Sequence, residues 1–177
     1  MEIINFSEDF ADIKIAKGVY FEDPRGSLKK TIYGDELTSL MSSIKEVICS
    51  KSKKNVIRGL HFQKKPFEVS KFIKCVSGEI IDVFLDIRHE SKTFGNYGSI
   101  KLNEKDDKSL FIPKGFAHGY GVLSSEATVV YLQSGNFEPS FDFSINPLSL
   151  NIEWGIDTPL LSDKDKDAIS FDEFIKI

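Results

Sequence analysis

Residues 71–88 read KFIKCVSGEIIDVFLDIR, and this stretch decides the fold class. Two runs rich in Phe, Ile and Val flank Ser77-Gly78-Glu79. β-Branched and aromatic side chains suit a pleated, partly buried surface, and the glycine supplies the freedom of a tight turn, so the pattern predicts a β-hairpin. The signature repeats outward in GSIKL (98–102), SLFIP (109–113), YGVL (120–123) and ATVVYLQS (127–134), each bounded by Gly, Pro, Asn or Asp clusters. Short strands at such intervals, without long helices between them, predict a sandwich or barrel. Leu37, Leu40, Met41 and Ile44 follow GDE at i, i+3, i+4 and i+7 and predict one early helix. Two further short helical pieces are expected in LSDKDKDA (161–168) and SFDEF (170–174). With no repeat and no linker, residues 1–177 are expected to form one all-β domain, an antiparallel barrel or jelly roll with a few short helices.

Composition narrows the function. A chain of 177 residues, 41% hydrophobic with 15 phenylalanines, fills one sizeable core but not two. The formal net charge of -4 argues against a nucleic-acid partner, although it leaves room for a local basic pocket. Cys49 and Cys75 form neither a CxxC pair nor a disulfide framework, which points to a reduced, cytoplasmic setting. The acidic, interrupted MEIINFSEDF is unlike a signal peptide, and no apolar run reaches membrane-spanning length.

Chemistry concentrates in NVIRGLHFQ (55–63), where a strand that needs Val56, Ile57, Leu60 and Phe62 for packing also carries Arg58 and His61. Strict alternation puts Arg58 on the opposite face from His61, unless a bulge or the strand end brings it round. Lys71 opens an apolar run where a charge needs a purpose, and Asp163 or Asp165 offers a carboxylate to orient an imidazole. His89, in DIRHES, reads as a solvated turn residue, and NEKDDKS (103–109) as an exposed turn. Tyr131, at the end of ATVVY, reads on its own as a wall tyrosine with a bonded hydroxyl. No Rossmann or P-loop glycine pattern occurs. Pro113-x-Gly115-x-x-His118 resembles the second motif of the cupin barrels, but a metal cupin should also offer His-x-His and a downstream Glu; here the sequence is His61-Phe62-Gln63. No metal is expected.

Taken together, RGLHFQ, KFIKCVSGEIIDVFLDIR, SKTFGNYGSIKL, FIPKGFAHGY and VVYL resemble, in order and spacing, the dTDP-4-dehydrorhamnose 3,5-epimerase family. The resemblance runs from Asp23 through LSDKD. It implies a cupin-type double-stranded β-helix, a homodimer that exchanges N-terminal strands, no cofactor, and a nucleotide-diphosphate 4-keto sugar epimerised at carbon 3, carbon 5 or both. By match His61 is the base, Asp165 its orienting carboxylate, Lys71 the cation that stabilises the enolate, and Tyr131 the acid. Arg58 and Arg25 match phosphate contacts, Arg25 from the partner subunit, and His118 lines the pocket.

Departures fall in the recognition shell. The family reads DxRGxFxE where this chain has DPRGSLKK, so Leu28 and Lys30 replace an aromatic and an acid. Glu46 and Ile48 stand at positions of Gln and Asn, and Phe137 at that of a second tyrosine. Lysine has no acceptor for the thymine N–H, so Lys30 predicts a GDP- or CDP-linked sugar over a dTDP-linked one. Phe137 makes inversion at carbon 3 alone the second expectation. A metal-dependent cupin enzyme and a non-catalytic sugar-nucleotide binding module are the competing classes. The first predicts bound metal; the second gives His61, Lys71, Tyr131 and Asp165 no reason to occur together.

Overall fold

The computed structural model describes residues 1–176. Its strands are β1 (Glu2–Asn5), β2 (Lys14–Lys17), β3 (Val19–Asp23), β4 (Gly26–Lys30), β5 (Glu46–Lys53), β6 (Ile57–Gln63) and β7 (Lys71–Ser77). They continue as β8 (Glu79–Asp86), β9 (Tyr97–Asn103), β10 (Lys108–Ile112), β11 (Phe116–Val122), β12 (Glu126–Gln133) and β13 (Asp142–Ser144). Two antiparallel sheets face each other, a six-stranded one in the order β1-β2-β10-β7-β12-β5 and a five-stranded one in the order β13-β6-β11-β8-β9. This is the expected cupin-type jelly roll.

Residues 71–88 do not form the expected hairpin. β7 pairs with β10 and β12, whereas β8 pairs with β11 and β9, so the turn at Gly78 carries the chain from one sheet to the other. Gly78 has φ +78°, and a Cβ there would sit 2.1 Å from the Glu126 carbonyl oxygen. The glycine therefore makes a tight corner under β12 rather than a hairpin tip.

The unbroken apolar run of β8 has a direct cause: both of its faces are covered. Ile80 and Phe84 join Ile73, Leu110, Tyr120 and Val129 in the core between the sheets. Ile81, Val83 and Leu85 pack outward against Ile152, Trp154 and Phe174 of the C-terminal segment, together with Ile57, Leu60 and Phe62 of β6. Alternation then turns Asp82, between Ile80 and Phe84, into the barrel.

The helices are shorter than the periodicity suggested at one place and as expected at two. α1 spans Asp35–Leu40 and stops before Met41, which is buried, while Ile44 is exposed. Ser42 and Ser43 follow immediately, and serine competes with helix hydrogen bonding through its own hydroxyl. α2 (Asp163–Lys166) is capped by the Ser162 side chain, and α3 (Phe171–Phe174) by a reciprocal Ser170–Glu173 capping box. β3 and β4 form a separate two-stranded ribbon whose residues are nearly all exposed. No described helix is long and apolar enough to cross a membrane.

Candidate active site

A cavity of about 470 Å³ opens between the sheets, lined by residues that include Arg58, His61, Lys71, His118, Tyr131 and Phe137. The two sheets supply different chemistry. β6 and β11, neighbours in the five-stranded sheet, bring His61 opposite His118. β7 and β12, neighbours in the six-stranded sheet, bring Lys71 and Tyr131.

Arg58 reaches the same cavity because β6 is bulged. His118 pairs with His61 and Tyr120 with Arg58, so three steps on β6 match two on β11. Gly59, within the bulge, has φ +108°, and a Cβ there would lie 2.5 Å from the His118 carbonyl oxygen. The extra residue turns Arg58 and His61 to one face while Ile57, Leu60 and Phe62 keep the outer core.

His61 Nε2 lies 2.6 Å from Asp165 Oδ1, the half-exposed imidazole meeting a buried carboxylate. Asp163 is instead exposed and pairs with Lys166. Burial alone would raise Asp165, but His61, the Ser162 hydroxyl and the Gly59 amide hold its carboxyl below the ordinary value. The carboxylate fixes the ring through Nε2 and leaves the other ring nitrogen for a proton from elsewhere.

His118 is buried, with Nε2 3.0 Å from both Asp82 oxygens. Burial lowers its pKa, helped by the nearby Lys71 and His61 charges and opposed by Asp82. It is therefore a neutral ring that donates its N–H to Asp82, and its ring meets Tyr131 edge-on at 5.8 Å.

Burial pulls the Lys71 ammonium down to about 8, with Asp142 and Asp82 resisting the fall. Tyr131 is raised well above an ordinary phenol, by burial first and then by Tyr120 and Asp82, with Arg58 opposing. At neutral pH the cavity thus holds a protonated phenol and a lysine that is still mostly cationic.

The recognition residues divide. Glu46 accepts from the Phe137 amide at 2.9 Å and from Gln133 Nε2 at 3.1 Å, so its carboxylate holds the loop that presents Phe137 to the cavity. Ile48 lies on the same wall. Arg25, Leu28 and Lys30 lie on the exposed ribbon outside this cavity, and Arg25 grips Asp23 at 2.6 Å. His89 is exposed and stacks on Phe94.

Sequence reasoning did not single out Asp82, Tyr120, Ser50, Gln63, Gln133 or Asp142 for the site. Asp82 carried a signal, a lone acid inside EIIDVFLD, where burial demands a partner. Among the described residues, no three His, Cys, Asp or Glu side chains come together as a metal-binding group. The two histidines of the cavity each engage a separate carboxylate instead.

Comparison with known proteins points to one family. The family model for dTDP-4-dehydrorhamnose 3,5-epimerase matches residues 7–173. The dTDP-4-dehydrorhamnose 3,5-epimerase of Shigella flexneri is 37% identical over 169 residues, covering 92% of this chain and 93% of its own. A dTDP-4-dehydrorhamnose 3-epimerase of Streptomyces niveus is 33% identical, covering 83% of this chain and 73% of its own. The crystal structure of a dTDP-6-deoxy-D-glucose-3,5-epimerase from Legionella pneumophila, in complex with dTDP-4-keto-L-rhamnose, superposes with a TM-score of 0.89 at 32% identity. That superposition covers 97% of this chain and 93% of the other. Sequence and fold thus converge, and the chain belongs to the dTDP-4-dehydrorhamnose 3,5-epimerase family.

Proposed function

We propose that this protein epimerises a dTDP-linked 4-keto-6-deoxy sugar at carbons 3 and 5 without a cofactor, acting as one domain. One observation carries the reading: the His61–Asp165 pair and the Tyr131 phenol project from opposite sheets into one cavity that also holds Lys71. Both C–H bonds lie α to the ketone, so their inversion needs a base on one side, an acid on the other and a stabilised enolate. His61 takes the proton and Asp165 supports the imidazolium that results. Lys71 neutralises the developing enolate, and Tyr131 returns a proton from the far side. Arg58 holds the diphosphate, a task suited to a planar guanidinium.

The names of the matching relatives support dTDP. The preference for GDP or CDP rested on Leu28 and Lys30, and neither lines the cavity of its own chain. A homodimer in which each ribbon covers the partner's cavity would place Arg25, Leu28 and Lys30 at the nucleotide. The exposed Phe21 and Leu28 of the ribbon and Val47 of the edge strand β5 support such a contact. The same reading puts the enzyme in the cytoplasm, where its free Cys49 and Cys75 remain reduced.

A second reading, inversion at carbon 3 alone, is favoured by Phe137, which offers no hydroxyl at the cavity wall. Incubation with dTDP-4-keto-6-deoxy-D-glucose in D2O, read by NMR, is expected to place deuterium at carbons 3 and 5 with inversion. Deuterium at carbon 3 only establishes the second reading, and none at either carbon rejects both. Calorimetric titration is expected to give tighter binding of dTDP than of GDP or CDP; the reverse order restores the role of Lys30 in choosing the base.

A further inference from the structure

A strap of chain runs along the edge of the cavity. It leaves β12 in the six-stranded sheet at Gln133 and enters β13 in the five-stranded sheet at Asp142, with Phe137 midway. A side chain from each sheet grips the backbone around Phe137. Glu46 of β5 accepts from the Phe137 amide at 2.9 Å, and Gln133 Nε2 steadies the same carboxylate at 3.1 Å. The buried Gln63 of β6 works from the other side. Its Oε1 accepts from the Glu138 amide at 2.6 Å, and its Nε2 donates to the Asn136 carbonyl at 3.2 Å and the Phe67 carbonyl at 2.8 Å. Only this orientation of the Gln63 amide serves, because the flipped one would set its oxygen against carbonyls and its NH2 against an N–H. The Asn136–Phe137 peptide unit is thus held at its oxygen and at its hydrogen, and the Phe137–Glu138 unit at its hydrogen. Planar peptide units fixed on both sides of a residue fix its φ and ψ, and with them the direction of its side chain.

Core burial does not offset this ordering. Phe137 is 53% exposed and, among the described residues, belongs to none of the apolar cores, yet it lines the cavity. Fixing a loop backbone costs conformational entropy, so hydrogen bonds devoted to an exposed ring point to a use for its direction. We infer that Glu46 and Gln63 are positioning residues that aim Phe137 at the bound sugar nucleotide before it arrives. The inference rests on the reading of the cavity as the sugar-nucleotide site. A ring already in place removes the entropy of ordering the loop from the binding step, so the clamp acts on affinity. Phenylalanine brings no proton or charge to the reaction and contacts ground state and transition state alike, so its share appears in KM rather than kcat. Glu46 therefore acts through Phe137 and not as a substrate contact of its own.

Amide hydrogen exchange tests the clamp without a ligand. Glu46→Ala should speed exchange at the Phe137 amide, and Gln63→Leu at the Glu138 amide, by about tenfold or more. Parental exchange at the Phe137 amide of Glu46→Ala overturns the clamp, and this variant carries the test if Gln63→Leu fails to fold. Kinetics with dTDP-4-keto-6-deoxy-D-glucose test the purpose. Glu46→Ala should raise KM by about tenfold while kcat stays within about threefold, and Glu46→Gln, which keeps an acceptor, should recover most of the loss. In a Phe137→Ala background the same Glu46→Ala change should move KM by less than about twofold, because the ring it positions is gone. A full Glu46→Ala effect in that background makes Glu46 a substrate contact and overturns the inference, as does a parental KM in Phe137→Ala. A parent that neither turns over the sugar nor binds dTDP rejects the proposed function instead, and the exchange rates still decide the clamp.

Discussion

At Lys71 the barrel keeps an ammonium group where burial pulls its pKa to about 8. The cation is present below that value and is lost as pH rises through it, so kcat/KM should fall on the alkaline side of about 8. Lys71→Arg, charged at every accessible pH, should lose this alkaline limb even if its rate is lower. Stability should move the other way. The folded pKa lies below the unfolded one, so the unfolded chain binds more protons between about 8 and 10.5, and this residue's contribution to stability rises with pH there. A pH–rate profile without an alkaline limb near 8 would remove Lys71 as the enolate partner. His61 is the sharper case. His61→Ala should lower turnover by about 10²–10⁴-fold while the melting temperature stays close to the parent's, because the ring is half-exposed and carries no core contact. Thermal melting beside the kinetic assay distinguishes this from loss of fold.

The bulge in β6 is the element on which the site depends. Gly59→Ala would force an L-residue to φ +108° and drive its Cβ within 2.5 Å of the His118 carbonyl oxygen. A cost of about 1–3 kcal/mol is expected from the backbone alone, with more from the collision. Urea denaturation should show the lost stability, and turnover should drop because Arg58 and His61 share that segment. Neither effect in the variant would mean that the bulge is dispensable. This element also marks the limit of what the sequence discloses. The strands from β6 to β12, the two C-terminal helical pieces and the convergence of His61, Lys71, Tyr131 and Asp165 were legible, because apolar patterning and a motif string act locally. Whether Arg58 faced the cavity was not, since one extra residue on a strand reverses a face and only the paired strand reveals it. Gly78 misled for a related reason: a turn residue reports the local backbone, and a corner between sheets and a hairpin tip both accept a positive φ. Asp82 and Tyr120 escaped because their roles depend on partners 36 and 68 or more residues distant.

At the scale of the whole molecule, the cavity of one chain lacks the ribbon that carries Arg25, Leu28 and Lys30. Sedimentation should therefore give twice the chain mass of 20.0 kDa. Arg25→Ala and His61→Ala subunits, each poorly active alone, should regain activity when unfolded together and refolded. A mixed dimer with a crossed ribbon holds one site with both defects and one with neither. No recovery in a verified mixed dimer would place Arg25 in its own chain's site or outside the chemistry.

The central claim is that base and acid act from opposite sheets, and Tyr131→Phe tests it most directly. Parent and variant are incubated with dTDP-4-keto-6-deoxy-D-glucose in D2O, and NMR follows deuterium entry and inversion at each carbon. With His61 intact the enolate still forms, so deuterium should continue to enter with retained configuration while inversion slows by about 10²-fold or more. Inversion by Tyr131→Phe at the parental rate, in step with exchange, would contradict the account.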